Sequence, residues 1–157
     1  MIEMRVTGAE ELKAKFAQIK ADMYESLAAA LVAGGFVVSN AAKTNAPKLT
    51  GNLARSIHIA TKTADITSPE RKSGGGTGKG IRSEREVKKV ADRLKGKGKA
   101  EIFVGTNVAY AAAQEFLGYH HKIGVSPYLR PALDNNRQEV HNEVQRAIAA
   151  ILKKAAL

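Results

Sequence analysis

The chain has 157 residues, enough for one domain with a core of its own, and we expect a single domain over residues 1–157. It contains no cysteine, which excludes disulfide bonds, thiolate zinc sites and thiol nucleophiles. Lysine and arginine number 25 against 15 acidic residues, and the resulting formal net charge of +10 bears on partners and solubility rather than on fold.

The N-terminal third of the chain changes from a strand pattern to a helix pattern. Residues 2–7 alternate apolar and polar side chains, which predicts a short strand. From residue 9 to residue 45, apolar residues recur at steps of three and four, which predicts a long amphipathic helical segment. Asp22 could cap a second helix, so the segment is either one kinked helix or two helices, 9–20 and 22–45.

This part of the chain also bears on membranes and interfaces. The N-terminus lacks the apolar run of a signal peptide, and the longest apolar stretch, 27–38, is too short to span a bilayer. We therefore expect a soluble protein without a membrane partner. The small residues from Ala28 to Gly35 would let another backbone approach closely, so they either pack on the protein's own sheet or form a contact between subunits.

A structural corner follows the helical segment. Pro47 disfavours helical geometry in the residue before it and so closes the helix. Gly51 is expected in a turn with positive φ. Leu53 and Ile57 continue an apolar pattern that predicts one helical turn passing into a strand, and we expect both side chains to be buried.

Two predicted strands flank a basic insertion. Residues 55–63 and 100–105 are the predicted antiparallel partners, and the insertion, 65–99, lies between them as a long, flexible hairpin excursion in which only 83–94 has helical composition. It holds eleven basic against five acidic residues, a net charge of +6, and seven of the fourteen glycines. Its cations either contact DNA or a partner, or form a solvated surface. These cations are Arg71, Lys72, Lys79, Arg82, Arg85, Lys88, Lys89, Arg93, Lys95, Lys97 and Lys99.

One stretch of the insertion resembles a nucleotide-binding loop but lacks what the chemistry requires. Gly78-Lys79 looks like the end of a phosphate-binding motif. Ser73, however, stands where that motif needs a glycine, and Gly80 stands where a serine or threonine would hold magnesium. We therefore expect no nucleotide cofactor.

The histidines do not form a catalytic or metal-binding pattern. His120 and His121 are adjacent, so on a strand they would point to opposite sides, and no further ligand lies at metal-binding spacing. His58 could act as a base for Ser56 or Thr50, but no carboxylate is placed to orient its imidazole. We predict no enzymatic activity, no metal and no cofactor.

The C-terminal third predicts a short helix followed by a long one. Residues 108–116 fit a short helix or an irregular turn, and 117–126 fit a loop bounded by glycines. Pro127 begins the last helix, because proline is tolerated in a first turn. Lys153 and Lys154 complement its dipole at the C-terminal end. The apolar stripe that would dock this helix comprises Leu133, Val140, Val144, Ile148, Ile151 and Leu152.

Several short motifs, in a fixed order, point to a known family. They are Ala46-Pro47, Thr50-Gly51-Asn52-Leu53 with Arg55-Ser56-Ile57, Val104-Gly105, Tyr110-Ala111 with Glu115-Phe116, and Pro127-Tyr128-Leu129-Arg130-Pro131-Ala132-Leu133. In this order they resemble the neck, or head-to-tail joining, proteins of long-tailed phages and prophages, a group that includes minor tail and tail-completion components. The resemblance covers nearly the whole chain except the insertion.

The resemblance implies an α+β fold, with long N-terminal and C-terminal helices packed on a small, mostly antiparallel sheet, and a non-enzymatic structural role in the virion. It also implies a homo-oligomeric ring, a hexamer first and a twelve-fold ring second, that joins the head connector to the tail proteins. The basic insertion could then contact packaged DNA non-specifically. Before assembly the protein would reside in the host cytoplasm.

Two alternatives stay open. A tail terminator or another ring component of the tail end fits nearly as well, because sequence does not fix which ring a subunit joins. A stand-alone basic nucleic-acid-binding module is the competing class of protein. The insertion contains no aromatic residue, however, and so lacks the stacking platform of a single-strand binder.

Overall fold

The computed structural model describes residues 8–47, 51–63, 66, 84–116 and 127–155. The strand predicted at 2–7, the glycine-rich part of the insertion and the loop predicted at 117–126 lie outside the described residues. In chain order the described elements are α1 (Ala9–Asn45), α2 (Asn52–Ser56), β1 (His58–Ala60), α3 (Glu84–Lys97), β2 (Phe103–Gly105), α4 (Ala111–Phe116) and α5 (Leu129–Ala155).

Helix α1 is continuous over 37 residues, so the alternative of two helices is wrong. Asp22 does not cap a helix but accepts a hydrogen bond of 2.9 Å from the Gln18 side chain one turn earlier. At the C-terminal end Ala46 is extended, with φ −63° and ψ 138°, directly before Pro47. The predicted closure of the helix by Pro47 is confirmed. At 1.5 Å per residue, α1 is about 55 Å long.

The corner has the predicted geometry. Gly51 has a φ of 67° and precedes the single helical turn α2, after which Ile57 is extended and leads into β1. Leu53 and Ile57 are buried, as predicted. The strand predicted at 55–63 was too long, because Arg55 and Ser56 belong to α2, whose first backbone bond joins the Arg55 N–H to the Gly51 carbonyl.

The sheet consists of β1 and β2, which pair antiparallel in the described part of the chain. His58 lies opposite Gly105, and Ala60 lies opposite Phe103. The predicted pairing is confirmed, but β2 begins at Phe103 rather than at residue 100. Together with the two long helices this small sheet makes the protein an α+β fold, as expected.

Helices α1 and α5 pack against each other in antiparallel fashion. Gly34 faces Val140, and a Cβ at Gly34 would lie 2.9 Å from the Val140 Cγ1, so this approach requires glycine. Near the other end of α5, Lys154 lies 3.9 Å from the Asp22 carboxylate. Gly35 is packed in the same way against Ile102, next to the sheet. Gly34 and Gly35 therefore pack within the protein, whereas the alternative of a subunit contact formed by the stretch from Ala28 to Gly35 stays a prediction.

Two clusters of buried residues lie along α1. One joins the C-terminal half of α1 to α2, α4 and the start of α5, and it includes Val38, Ala42, Leu53, Ile57, Val108, Tyr128 and Ala132. The other joins the middle of α1 to β1 and α3, and it includes Ala28, Val32, Ile59, Val90, Ala91 and Leu94. Val104 on β2 packs against both clusters. Helix α1 is thus the element that the two parts of the core share.

Helix α3 corresponds to the helix predicted at 83–94. Its apolar edge, Val90, Ala91 and Leu94, is buried against α1 and β1. The C-terminal part of the insertion is therefore a packed helix. Burial of these three apolar side chains is more favourable in free energy than their exposure to solvent in a flexible loop. The flexibility expected for the insertion as a whole stays a prediction.

We expect Gly51→Val to lower the free energy of unfolding by more than about 1 kcal/mol, because β-branched residues are strained at positive φ. A Cβ at Gly51 would meet no atom within 4 Å, so the loss would come from the backbone and not from a clash. Gly51→Asn should cost less, since asparagine tolerates this region. Gly96→Val, at an exposed helical position with equally open space, is the control for urea unfolding. Equal stabilities of the Gly51→Val and wild-type proteins would contradict the prediction.

Candidate functional site

The exposed face of α3 carries most of the described cations of the insertion. Because its apolar edge is held in the core, the opposite face points to solvent. The exposed cations on this helix are Arg85, Lys88, Lys89, Lys95 and Lys97. We call this set the basic face. Arg71, Lys72, Lys79 and Arg82 lie outside the described residues.

Two further cations of the insertion have protein partners. The Arg93 guanidinium donates a hydrogen bond to the Thr61 carbonyl, which ties α3 to the end of β1. Lys99 forms an ion pair of 2.7 Å with Glu101. The hydrogen bond to Glu101 and then its negative charge raise the pKa of Lys99 above its ordinary value. Arg93 and Lys99 are therefore engaged within the protein.

The basic face suits contact with the phosphate groups of nucleic acid, without recognition of the bases. Arginine and lysine side chains on one exposed helical surface neutralise phosphates, and they attract nucleic acid in a salt-dependent way. Glu84 and Asp92 are also exposed on α3, so the face is not uniformly positive. The core holds α3 in place, so the cations of the basic face lie on a packed helix and not on a loop.

A second feature of the site is the buried carboxylate of Glu115 at the end of α4. Its Oε2 accepts hydrogen bonds from the backbone N–H groups of Tyr128 at 2.8 Å and Leu129 at 3.0 Å. Its Oε1 accepts one from the Arg130 N–H at 2.9 Å. These three donors belong to the first turn of α5, which leaves N–H groups without helical partners. Glu115 thus caps α5 from a different helix, with its negative charge at the positive end of the helix dipole.

This cap explains where the last helix begins. The sequence predicted a start at Pro127, whereas α5 starts at Leu129, where the Glu115 carboxylate accepts hydrogen bonds from the first N–H groups of the helix. No local sequence pattern indicates the cap, since Glu115 and Tyr128 are 13 residues apart. Only the two motifs of the resemblance, Glu115-Phe116 and Tyr128-Leu129-Arg130, contained both sides of the interaction.

Tyr128 is fully buried beside this cap. Burial first, then the negative charge of Glu115 and then that of Tyr110, together raise the pKa of the Tyr128 phenol to about 12. The phenol is therefore neutral across the physiological range, and the side chain acts as a core residue that carries the first turn of α5 into the α1 cluster.

An apolar cleft of about 720 Å³ opens between α1, α4, α5 and β2. Two of its lining side chains stand out because they are large, apolar and exposed: Phe116 is 76% exposed and Leu133 is 48% exposed. Other lining residues are Leu31, Val38, Val104, Ala112 and Val140. The Glu115 carboxylate also lines the cleft but is engaged in the helix cap. The lining therefore suits an apolar protein surface better than a charged small molecule.

Much of the apolar stripe predicted for the last helix is not buried. Ile151 is buried and Val140 and Val144 are half-buried, but Leu133, Ile148 and Leu152 are exposed. The docking of α5 instead depends on Ala132 and on Tyr128 just before the helix, both fully buried. The stripe was too wide because residues on the flank of a helix share its apolar period without facing the core.

Two of the side chains considered for catalysis, His58 and Ser56, are engaged in structural bonds, and the third, Thr50, lies outside the described residues. His58 Nδ1 donates a hydrogen bond of 2.7 Å to the Ser56 carbonyl. The Ser56 hydroxyl donates one of 2.7 Å to the Leu53 carbonyl and lies 2.5 Å from the Thr106 hydroxyl. Within the described part of the chain no group of three His, Cys, Asp or Glu residues could hold a metal ion. His120 and His121 lie outside that part.

By length and composition alone, α1 could cross a membrane. Core helices of soluble proteins meet the same criterion when they are largely apolar. Here Ala28, Val32, Gly34, Gly35 and Val38 are buried by other parts of the same chain. Burial in the core thus accounts for part of the apolar composition of α1, since 44% of its most apolar segment is buried.

The fold and these surfaces define an α+β protein whose prominent features are a basic helix face and an apolar cleft. The family model described as "Bacteriophage HK97-gp10, putative tail-component" matches residues 10–116, more than half of the chain. The chain therefore belongs to the HK97-gp10-like family of bacteriophage tail components. No curated protein and no solved structure matches it significantly.

Membership in this family gives the chain a structural role in the virion, in agreement with the resemblance drawn from its motifs. The match spans α1 to α4 and ends directly after Glu115. Helix α5 lies beyond it, yet the Glu115 cap joins α5 to the matched region. The last helix is thus an integral part of the same fold.

We expect Glu115→Ala to destabilise the protein by about 2 kcal/mol or more, because it leaves three backbone donors near the buried start of α5 without their acceptor. Glu115→Gln should cost less, since its amide oxygen can still accept. Urea unfolding measures both changes. Glu139→Ala removes an exposed carboxylate of α5 and should be near neutral. A Glu115→Ala protein as stable as Glu139→Ala would show that the cap contributes nothing.

Tyr128 should make the protein less stable in alkali. Below pH 10 the phenol is neutral in both the folded and unfolded states. As the pH rises from 10.0, the ordinary pKa, to about 12, the unfolded state releases the proton first, and stability falls. Tyr128→Phe should lose less stability across this interval, whereas Tyr24→Phe, at a half-buried site on α1 away from the cap, should follow the wild type. Unfolding measured at stepped pH would refute this if all three proteins lost stability equally.

Proposed function

We propose that this tail component occupies the head–tail junction of a long-tailed phage as a neck or tail-completion subunit. The observation that carries the proposal is the family match over residues 10–116, together with the ordered motifs around the corner and the Glu115 cap. The motifs at the corner and the motifs at the cap both have structural roles in the fold. The resemblance therefore rests on the whole domain and not on a surface pattern. We infer that residues 1–157 act as one unit in this role.

We further propose that the subunits form a closed ring between the head connector and the tail. The six-fold symmetry that the resemblance implies for the tail tube makes a hexamer the first choice and a twelve-fold ring the second. A ring needs two different contact patches on each subunit. The exposed apolar residues of the cleft, Phe116 and Leu133, offer one such patch. Before assembly the subunits would reside in the host cytoplasm.

The basic face of α3 supports a role next to DNA within this ring. DNA must pass the junction, and a ring that turns α3 toward its channel would line that channel with Arg85, Lys88, Lys89, Lys95 and Lys97. Cations held on a rigid helix screen phosphates irrespective of sequence. This contact would be non-specific and would weaken as the salt concentration rises.

Electron microscopy of virions, or of neck complexes assembled with the cognate connector, tests the proposal. We expect density for α1 and α5 at the head–tail junction, repeated around a six-fold or twelve-fold axis. A position at the distal end of the tail would favour the alternative of another tail-end ring. Absence from the particle, or isolated copies without rotational symmetry, would overturn the proposal.

A further inference from the structure

The N-terminal part of α1 carries an apolar stripe that the described core does not cover. Every residue from Gly8 to Gln18 is exposed. Among them Leu12 is 55% exposed and Phe16 is 62% exposed, and Met23, further along, is 36% exposed. With the half-buried Ile19, these residues recur at helical spacing on one side of α1. We call Leu12, Phe16, Ile19 and Met23 the N-terminal stripe.

The stripe continues the side of α1 that packs on α5. Counting 100° per residue, Leu12, Phe16 and Met23 share a direction with Gly34, which contacts Val140 on α5. The ion pair between Lys154 and Asp22 places the C-terminal end of α5 beside the middle of α1. From Asp22 toward its N-terminus, α1 extends for about three more turns. The side of α1 that packs on α5 therefore continues beyond the end of α5.

The stripe cannot reach the apolar cleft of its own chain. Phe16 and Val38, a lining residue of the cleft, lie on one continuous helix, 22 residues apart. At 1.5 Å per residue this separates them by about 33 Å. The described part of the chain therefore presents the N-terminal stripe at one end of α1 and the apolar cleft near the other, and the stripe can enter this cleft only from a second molecule.

We propose that the N-terminal stripe of one subunit docks into the apolar cleft of the next subunit around the ring, where Phe116 and Leu133 contact it. The inference rests on the proposed ring. It supplies the two different patches that a head-to-tail contact requires. Gly34 and Gly35, which belong to the small-residue stretch that the sequence offered as a subunit contact, line this cleft.

A symmetric pairing of two stripes is disfavoured by charge. Lys13 and Lys20 are both exposed and lie on the same flank of the stripe, about 80–100° around the helix from Leu12. In an antiparallel pair of identical helices the same flanks face each other, so these lysines would meet the lysines of the second copy. Docking into the cleft avoids this lysine–lysine repulsion, because the cleft lining is mostly apolar and the cation within it, Arg130, is paired with Asp134 at 3.8 Å.

The small size of this contact fits a ring that assembles only where the connector holds the subunits together. One short helix in one cleft buries less than the roughly 1,600 Å² of a standard stable interface. Isolated subunits would therefore associate weakly. In a ring each subunit makes the contact twice, once with its stripe and once with its cleft, and a connector that holds the subunits together raises their effective concentration. Ring closure then depends on the connector.

Cysteine cross-linking in assembled particles tests the docking, and the absence of native cysteine makes the result unambiguous. Phage particles carrying Phe16→Cys together with Leu133→Cys are treated with a short bismaleimide. We expect a ladder of linked subunits that ends at the ring number. Ala14→Cys with Leu133→Cys is the matched control, because Ala14 is exposed on the opposite side of α1 and should give no ladder.

Several outcomes would overturn the docking while leaving the ring intact. They are dimers formed by Phe16→Cys alone, links from position 16 to another virion protein, and a visible ring in which positions 16 and 133 do not link. Particles without a ring at the junction would overturn the proposed function as well. If Phe16→Cys failed to enter particles, an unchanged melting temperature and normal entry of Ala14→Cys would support the stripe as the contact.

Discussion

The start of α5 is held by one carboxylate, and the arrangement of the C-terminal half depends on it. Glu115 accepts hydrogen bonds from three backbone N–H groups, which the start of a helix leaves without partners. By fixing these groups it fixes where α5 begins, and therefore which residues of α5 face α1. Tyr128 and Ala132 are buried in the α1 cluster as a consequence. A short helix of six residues, α4, thus determines the position of a helix of 27.

Helix α1 is the second constraint, because both clusters of the core are built on it. Its glycines allow α5 and the sheet region to approach its backbone, at Gly34 and Gly35 respectively. The same rigid helix separates the N-terminal stripe from the apolar cleft. Internal packing and assembly are therefore linked: the residues that make α1 a good core helix in its middle also make it a stiff spacer between two surfaces.

The basic face shows how burial of one side of a helix determines where the charged side chains of its other side are presented. Val90, Ala91 and Leu94 hold α3 against the core, so the cations on its other side are presented on a fixed surface. Arg93 strengthens this orientation through its bond to the Thr61 carbonyl. Net charge alone does not distinguish such a surface from a solvated loop, because it carries no information on which side of a helix is buried.

Local features of the fold could be derived from the sequence. Pro47 ends α1 and Gly51 takes positive φ, since backbone sterics at these residues act within one or two positions. The strand character of β1 and β2 and the helical composition of α3 could also be predicted, because each depends on short-range pattern, and the order of the family motifs can be read directly along the chain. The absence of cysteine excluded thiol chemistry outright.

Only the tertiary structure decided the long-range relations. The Glu115 cap joins groups 13 to 15 residues apart, and no local pattern specifies that a carboxylate faces a particular helix start. The exposure of Leu12, Phe16 and Leu133 was equally hidden, because they follow the same helical period as buried residues and differ only in whether another element covers them. Sequence period fixes the side of a helix on which a residue lies, whereas burial depends on how far the neighbouring helix extends.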